Sequence, residues 1–156
     1  MNSTETKPFA VVTGASSGIG YELAVQFAQH GYDLLMAAED DGIQEAARQI
    51  PTNGNRIEPL RVDLATYDGV EELAEKIQSS GRSVDALALN AGVGVSGDFA
   101  TDTNLDEELN LLQLNVLSPV HLAERILPEM VARGLGRILI TSSIAGTMPG
   151  PFQAIL

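Results

Sequence analysis

From Thr13 to Gly20 the chain reads Thr13-Gly-Ala-Ser-Ser-Gly-Ile-Gly20. Glycines at 14, 18 and 20 allow a tight turn and a close approach of backbone to a ligand. A short aliphatic run precedes the segment and a helix-like pattern follows it. The helix N-terminus then offers free N–H groups and the positive end of its dipole to a group seated in the turn. A pyrophosphate is the natural occupant, with Gly14, Ser16, Ser17, Gly18, Ile19 and Gly20 around it. The spacing is G-x-x-x-G-x-G, not the G-x-G-x-x-G of the standard dinucleotide fingerprint. Taken alone, such a cluster also describes a plain strand-to-helix turn.

Four further groups have side chains suited to binding or proton chemistry. Asp63-Leu64 stands at a strand end, where the acid either meets a ligand or begins the next helix. Asn90-Ala91-Gly92 ends another strand, and Asn90 is either a turn residue or a site residue. Asn115 lies inside a helical pattern, a place its propensity disfavours, which points to a special hydrogen bond. Ser142 and Ser143 follow the last strand, as strand-end hydroxyls or as groups aimed at a substrate. His30 and His121 read as structural or solvated, and no residues have metal-ligand spacing.

These groups need a scaffold, and hydrophobic periodicity supplies one. Runs rich in aliphatic and β-branched residues predict buried parallel strands at Phe9–Thr13, Tyr32–Ala38, Arg56–Val62, Val84–Leu89 and Arg137–Thr141. Stretches with a period near 3.6 predict helices at Ile19–His30, Asp41–Ile50, Thr66–Ser80 and Asn104–Arg133, the last bent at Pro119. Ser142 to Leu156 reads as a loop. Alternation of this kind predicts a three-layer α/β fold with a parallel sheet. The right-handed crossover rule gives the order 3-2-1-4-5. No repeat, linker or low-complexity segment divides residues 1–156, so one domain is expected.

With these residues in place, the chain resembles the short-chain dehydrogenases/reductases. Thr13-Gly14-x-x-x-Gly18-Ile19-Gly20 is similar to the family's cofactor motif. Asp63-Leu64 resembles its adenine-contacting Asp, and Asn90-Ala91-Gly92 its N-A-G motif beside the cofactor. Asn115, in Leu114-Asn-Val116, resembles its structural and catalytic Asn. Ile140-Thr-Ser-Ser-Ile-Ala-Gly146 resembles the strand end that carries the catalytic Ser, here Ser143. The resemblance implies a Rossmann-type fold, a nicotinamide dinucleotide (NAD or NADP), and oxidoreduction of a small alcohol or carbonyl.

The same resemblance asks for a Tyr as acid/base, thirteen residues after the Ser, and a Lys four residues later. Leu156 stands at the Tyr position, and Tyr21, Tyr32 and Tyr67 lie on other elements. Hydride transfer to a carbonyl leaves an alkoxide that needs a proton donor, and positioned proton transfer contributes about 10²–10⁴-fold. The expectation is therefore a truncated and inactive enzyme. The alternative is a non-catalytic or regulatory nucleotide-binding relative. In the family the fifth strand is internal; here it would be an open edge, a site for pairing with another copy, which admits a homo-oligomer.

At the end of the second strand the resemblance places the choice between cofactors. An acid there binds the ribose 2′-hydroxyl and a basic residue the 2′-phosphate. Glu39, Asp40 and Asp41 occupy the stretch, which favours NAD, although the same acids also suit the start of a helix. The whole chain of 156 residues has 9 Lys and Arg against 21 Asp and Glu, a net charge of −12. That balance argues against nucleic acid and anionic membrane as partners. The absence of cysteine removes disulfides, thiolate metal sites and thiol nucleophiles. With no export-like or membrane-spanning segment, a cytoplasmic location is expected.

Overall fold

The computed structural model describes residues 7–148 and 150–152. Strands β1 (Phe9–Thr13), β2 (Asp33–Ala38), β3 (Ile57–Arg61), β4 (Ala86–Leu89) and β5 (Arg137–Ile140) form one sheet. Its order is β3-β2-β1-β4-β5, and all four pairings are parallel. This is the predicted order. β1 and β4 are buried along their whole length, which is why their sequences read as unbroken apolar runs rather than as alternation. β3 tolerates Pro59, paired with Met36, because it is an outer strand and one of its sides needs no ladder bond.

The helices are α1 (Gly18–Gln29), α2 (Gly42–Gln49), α3 (Tyr67–Ser79), α4 (Leu105–Leu112) and α5 (Ser118–Arg133). Alternate strand residues face opposite layers. Val11, Leu35, Leu87 and Leu89 pack with Val70, Leu73 and Ile77 of α3 and Leu122, Ile126 and Met130 of α5. Ala10, Val12, Leu34, Met36 and Ala88 face the other way, onto Ala24 and Ala28 of α1 and Ile43 of α2. Small residues on that side let α1 lie close to β1, which brings its N-terminus to the β1 turn.

The ends opposite the β1 turn are tied by ions. Arg82 bonds Asp33 at 2.7 Å and the Lys7 carbonyl at 2.7 Å, and covers the Phe9 ring at 4.7 Å. Asp85 accepts the Phe9 N–H at 2.9 Å and meets Arg133 at 3.3 Å. At the other end of the sheet, near the starts of α3 and α5, His121 lies against Glu71, which also receives Arg125, and stacks on Tyr67 with ring centroids 4.6 Å apart. His30 contacts its own helix through the Gln26 carbonyl at 2.7 Å. Both histidines thus serve local packing.

The predicted single helix from Asn104 to Arg133 is interrupted. Residues Gln113–Leu117 form a π-turn between α4 and α5, and the Ser118 N–H reaches back five residues to the Gln113 carbonyl. The bend assigned to Pro119 is this turn: Pro119 sits just after it, at the start of α5. Ile144–Gly146 forms a 3₁₀ turn within the predicted loop. Among the described residues β5 pairs only with β4, and Leu139 and Ile140 on it are exposed. Among the described residues no helix is long and apolar enough to cross a membrane.

Candidate functional site

The carboxyl ends of β1, β2 and β4 surround two adjoining cavities, where the sheet order reverses between β1 and β4. The smaller, about 180 Å³, is lined by Gly14, Ser16, Ser17, Glu39, Asp40, Asp63, Leu64, Ala91 and Gly92 among others. The larger, about 780 Å³, is lined by Gly14, Ser17, Ile19, Asn90, Gly92, Asn115 and Ser143 among others. Gly14, Ser17, Ala91, Gly92 and Val93 belong to both, so the two form one cleft. The residues singled out in the sequence therefore converge, with three distinctions. Ile19 lines the larger cavity rather than the one with Asp63. Gly18 and Gly20 line neither. Leu156 lies outside the described residues.

Gly20 acts from beneath. A Cβ there would lie 2.1 Å from the Gly14 carbonyl oxygen and 2.5 Å from Asn90 Nδ2. Gly18 has φ +56° and nothing within 4 Å of where a Cβ would stand, so the turn in front of α1 is open. Ser17 precedes α1 without a side-chain cap, and no acid lies in the first turn. By contrast Thr66 caps α3 and Asn104 caps α4, each followed by acids. The positive end of α1 is thus left for an outside anion, and the glycines leave room for it. These features fit a dinucleotide pyrophosphate.

Two residues not singled out in the sequence hold the cleft together. Thr13 Oγ1 accepts the N–H groups of Asn90 at 2.9 Å and Ala91 at 3.0 Å. Thr141 donates to Asn90 Oδ1 at 2.9 Å. Asn90 in turn donates to the carbonyls of Thr13 at 3.2 Å and Gly14 at 3.3 Å. Asn90 therefore welds the ends of β1, β4 and β5. The polar character of two strand-end threonines is the available signal, but their partners lie more than fifty residues away.

The acids are arranged by their own hydrogen bonds. Asp40 accepts from Ser16 Oγ at 2.7 Å and from the Gly42 N–H at 2.8 Å, joining the glycine turn to α2. Arg61 donates to the Glu39 carbonyl at 2.9 Å and pairs with Asp41 at 3.0 Å. Asp63 accepts the Ala65 N–H at 2.9 Å, so it shapes its turn and lines the cavity at once. Asn115 clasps Val93 by both backbone groups, accepting its N–H at 2.9 Å and donating to its carbonyl at 2.8 Å. Ser143 Oγ accepts the Ala145 N–H at 3.1 Å and is exposed to the larger cavity. Among the described residues, no group of three or more His, Asp or Glu is gathered as for a metal ion.

The family model described as short chain dehydrogenase matches residues 8–155. This chain belongs to the short chain dehydrogenase family. Oxidoreductase UcpA of Salmonella typhimurium is 31% identical over 139 residues, 89% of this chain and 52% of its own. Human 17-beta-hydroxysteroid dehydrogenase type 1 is 34% identical over 152 residues, 93% of this chain and 45% of its own. The chain thus spans about half the length of these curated relatives. Among solved structures, a metagenomic short-chain oxidoreductase in complex with NADP superposes with a TM-score of 0.87 at 31% identity, covering 94% of this chain and 67% of the other. L-sorbose reductase from Gluconobacter frateurii, complexed with NADPH and L-sorbose, has a TM-score of 0.87 at 34% identity, covering 96% of this chain and 57% of the other. This family membership agrees with the resemblance drawn from the motifs.

Proposed function

We propose that residues 1–156 are one domain that binds a nicotinamide dinucleotide for oxidoreduction of a small alcohol or carbonyl. The supporting observation is the uncapped, acid-free N-terminus of α1 opening onto a turn that Gly14, Gly18 and Gly20 keep clear. Gly14, Ser16, Ser17 and Ile19 would hold the pyrophosphate side. Asp63, Leu64 and Glu39 would hold the adenosine side, and Asn90, Ala91 and Gly92 would floor the nicotinamide side. The bound nicotinamide would supply hydride chemistry. Ser143 would donate a hydrogen bond to the substrate oxygen, and Asn115 would hold the Val93 loop at the cavity wall.

NAD is the favoured cofactor in this reading. Glu39 and Asp40 line the smaller cavity and would repel a 2′-phosphate bound beside them, and the nearby Arg61 is already engaged by the Glu39 carbonyl and Asp41. The NADP and NADPH complexes of solved relatives make this a sharp test. Calorimetric titration of the 156-residue chain with NADH and NADPH side by side is expected to show binding of both, NADH more tightly. No heat with either would overturn the site; tighter NADPH would overturn the preference alone.

A second reading has its own support. Within residues 1–156, no tyrosine is followed four residues later by lysine. Nucleotide binding without turnover therefore suits these residues taken by themselves. The acidic balance suits a cytoplasmic protein that avoids nucleic acid and anionic membrane.

A further inference from the structure

We propose that, granted the oxidoreductase reading above, the larger cavity takes an uncharged carbonyl compound with an apolar body and discriminates against keto acids and other anionic substrates. None of the described residues that line it carries a charge. The adjoining smaller cavity, by contrast, holds Glu39, Asp40 and Asp63. Ile19, Val93, Ile140 and Ile144 line the larger cavity and are exposed. Such aliphatic groups gain by covering an apolar ligand brought to them. From Val93 to Thr103 and from Thr141 to Phe152, the only charged side chains in the sequence are Asp98 and Asp102. These two segments meet a few residues past Gly94 and Gly146 of the lining. There the Gly97 N–H donates to the Phe152 carbonyl at 2.9 Å, and Met148 and Phe152 are exposed.

The polar side chains of the lining are largely committed to the protein itself. Asn115 spends both ends of its amide on Val93. Asn90 spends its own on Thr13, Gly14 and Thr141, and the Thr141 hydroxyl donates to it. What is left for a ligand is the hydroxyls of Ser142 and Ser143, and of Ser17 at the α1 side. Ser143 Oγ accepts the Ala145 N–H and keeps its own proton to donate. One such donor suits the oxygen of a carbonyl. It does not balance a carboxylate or phosphate, which calls for Arg or Lys. An anion entering here would leave water without gaining a counter-charge. It would do so against the field of a chain with net charge −12. A cation would be drawn by that field, yet would meet no carboxylate in the lining.

Three ketones of similar shape test this: acetophenone, 4-acetylbenzoate and (4-acetylphenyl)trimethylammonium. Each is titrated by NMR into the 156-residue chain, without nucleotide and again with NADH. The N-terminus of α1 borders the cavity and attracts anions on its own account. The readout is therefore the amide shifts of Val93 and Ile144, toward β5. Expected are saturable shifts with acetophenone, and binding of each charged ketone at least about tenfold weaker. Ile144→Arg, at an exposed position, supplies the absent cation. It is expected to tighten 4-acetylbenzoate by at least about tenfold over the parent chain. Either charged ketone binding the parent as tightly as acetophenone would overturn the proposal. So would the absence of shifts at Val93 and Ile144 with acetophenone up to its solubility limit. A folded Ile144→Arg chain that leaves 4-acetylbenzoate as weak as before would overturn it too. NADH binding is followed separately by calorimetry: a chain that takes no NADH yet ranks the three ketones as expected loses the nucleotide reading and keeps this selectivity.

Discussion

Gly20 lies under Gly14 so closely that a Cβ on the first would sit 2.1 Å from the carbonyl oxygen of the second. That contact is backbone on backbone, and it brings α1 against the turn it follows. Gly20→Ala must push the helix away or break the turn. Its expected cost is about 3 kcal/mol, at the upper end of overpacking effects, measured by urea unfolding against the parent chain. A loss under about 1 kcal/mol would mean the turn yields more freely than this packing implies.

Gly18 contrasts with Gly20. Its φ of +56° strains any other residue, yet nothing stands within 4 Å of a Cβ there. Gly18→Leu should cost stability by about 1–2 kcal/mol while placing a side chain beside the turn proposed to hold the pyrophosphate. NADH affinity should fall at least about tenfold, equivalent to 1.4 kcal/mol. Unchanged affinity in a folded Gly18→Leu chain would count against the placement of the pyrophosphate.

Asn90 connects three strand ends through its side chain, to Thr13, Gly14 and Thr141. Asn90→Ala leaves those partners unsatisfied in a half-buried place. The expected loss is about 1–3 kcal/mol. Thr141→Val, which removes one of the three bonds and keeps the shape, should cost less. The order of the two variants in thermal unfolding checks the assignment.

Much of this arrangement is legible in the amino-acid sequence. Buried parallel strands announce themselves as short aliphatic runs, and the glycine turn is local, so spacing alone identifies Gly14, Gly18 and Gly20. The order of the strands follows from chirality. Three features are not legible. The π-turn leaves the helical periodicity on either side intact, so the sequence shows a proline but not the extra residue ahead of it. The Ser16–Asp40 bond joins residues 24 apart, and the Thr13 and Thr141 bonds to Asn90 join residues 77 and 51 apart. Pairings at such separations are fixed by the sheet. Asp63 reads in the sequence either as a turn residue or as a ligand contact; it bonds Ala65 and lines the cavity, so the two descriptions coexist.

Acid should loosen the attachment of α3 first. Glu71 is held below the ordinary 4.5, chiefly by its hydrogen bond from Arg125 and then by His121. Glu58 is lowered chiefly by the hydrogen bond from Lys76, against the opposing effect of burial, and then by the charges of Lys76 and Arg56. A carboxyl whose folded pKa is depressed contributes stability that is complete above its unfolded value and lost as pH falls through the folded one. Unfolding free energy should therefore decline as pH falls from about 4.5. Glu71→Gln should flatten part of that decline, and Lys76→Gln another part. A slope unchanged in both variants would show that other carboxyls govern acid unfolding.

Charge at the end of β2 should govern cofactor choice. Glu39→Arg replaces one of the acids beside Asp40 with a guanidinium that can take a phosphate in two bonds. The ratio of NADPH to NADH affinity should rise by about tenfold or more, with little change in NADH binding at low salt. Raising the salt should shrink the gain, because the 2′-phosphate interaction is exposed and screened. An unaltered ratio would place the 2′-position of the ribose away from Glu39.

Turnover separates the two functional readings. Ser143 can donate a hydrogen bond to a carbonyl and Asn115 can hold the loop beside it, but neither supplies a proton tuned for transfer at neutral pH. Residues 1–156 contain no Tyr and Lys four apart, and Leu156 stands where the family resemblance asks for the Tyr. NADH-dependent reduction of a panel of aldehydes and ketones by the 156-residue chain should therefore stay at the level of a heat-inactivated control, even at nucleotide concentrations that saturate binding. Leu156→Tyr alone should not change this, because the phenol would lack the Lys that lowers its pKa. Joining the chain to the carboxyl-terminal part of a homologous enzyme that carries the Tyr-x-x-x-Lys pair should produce turnover, and Ser143→Ala in that fusion should remove most of it. Sustained reduction by the 156 residues alone, abolished by Ser143→Ala, would show that this cleft finds its proton elsewhere, and would sink the account of Ser143 and Asn115 as an incomplete set.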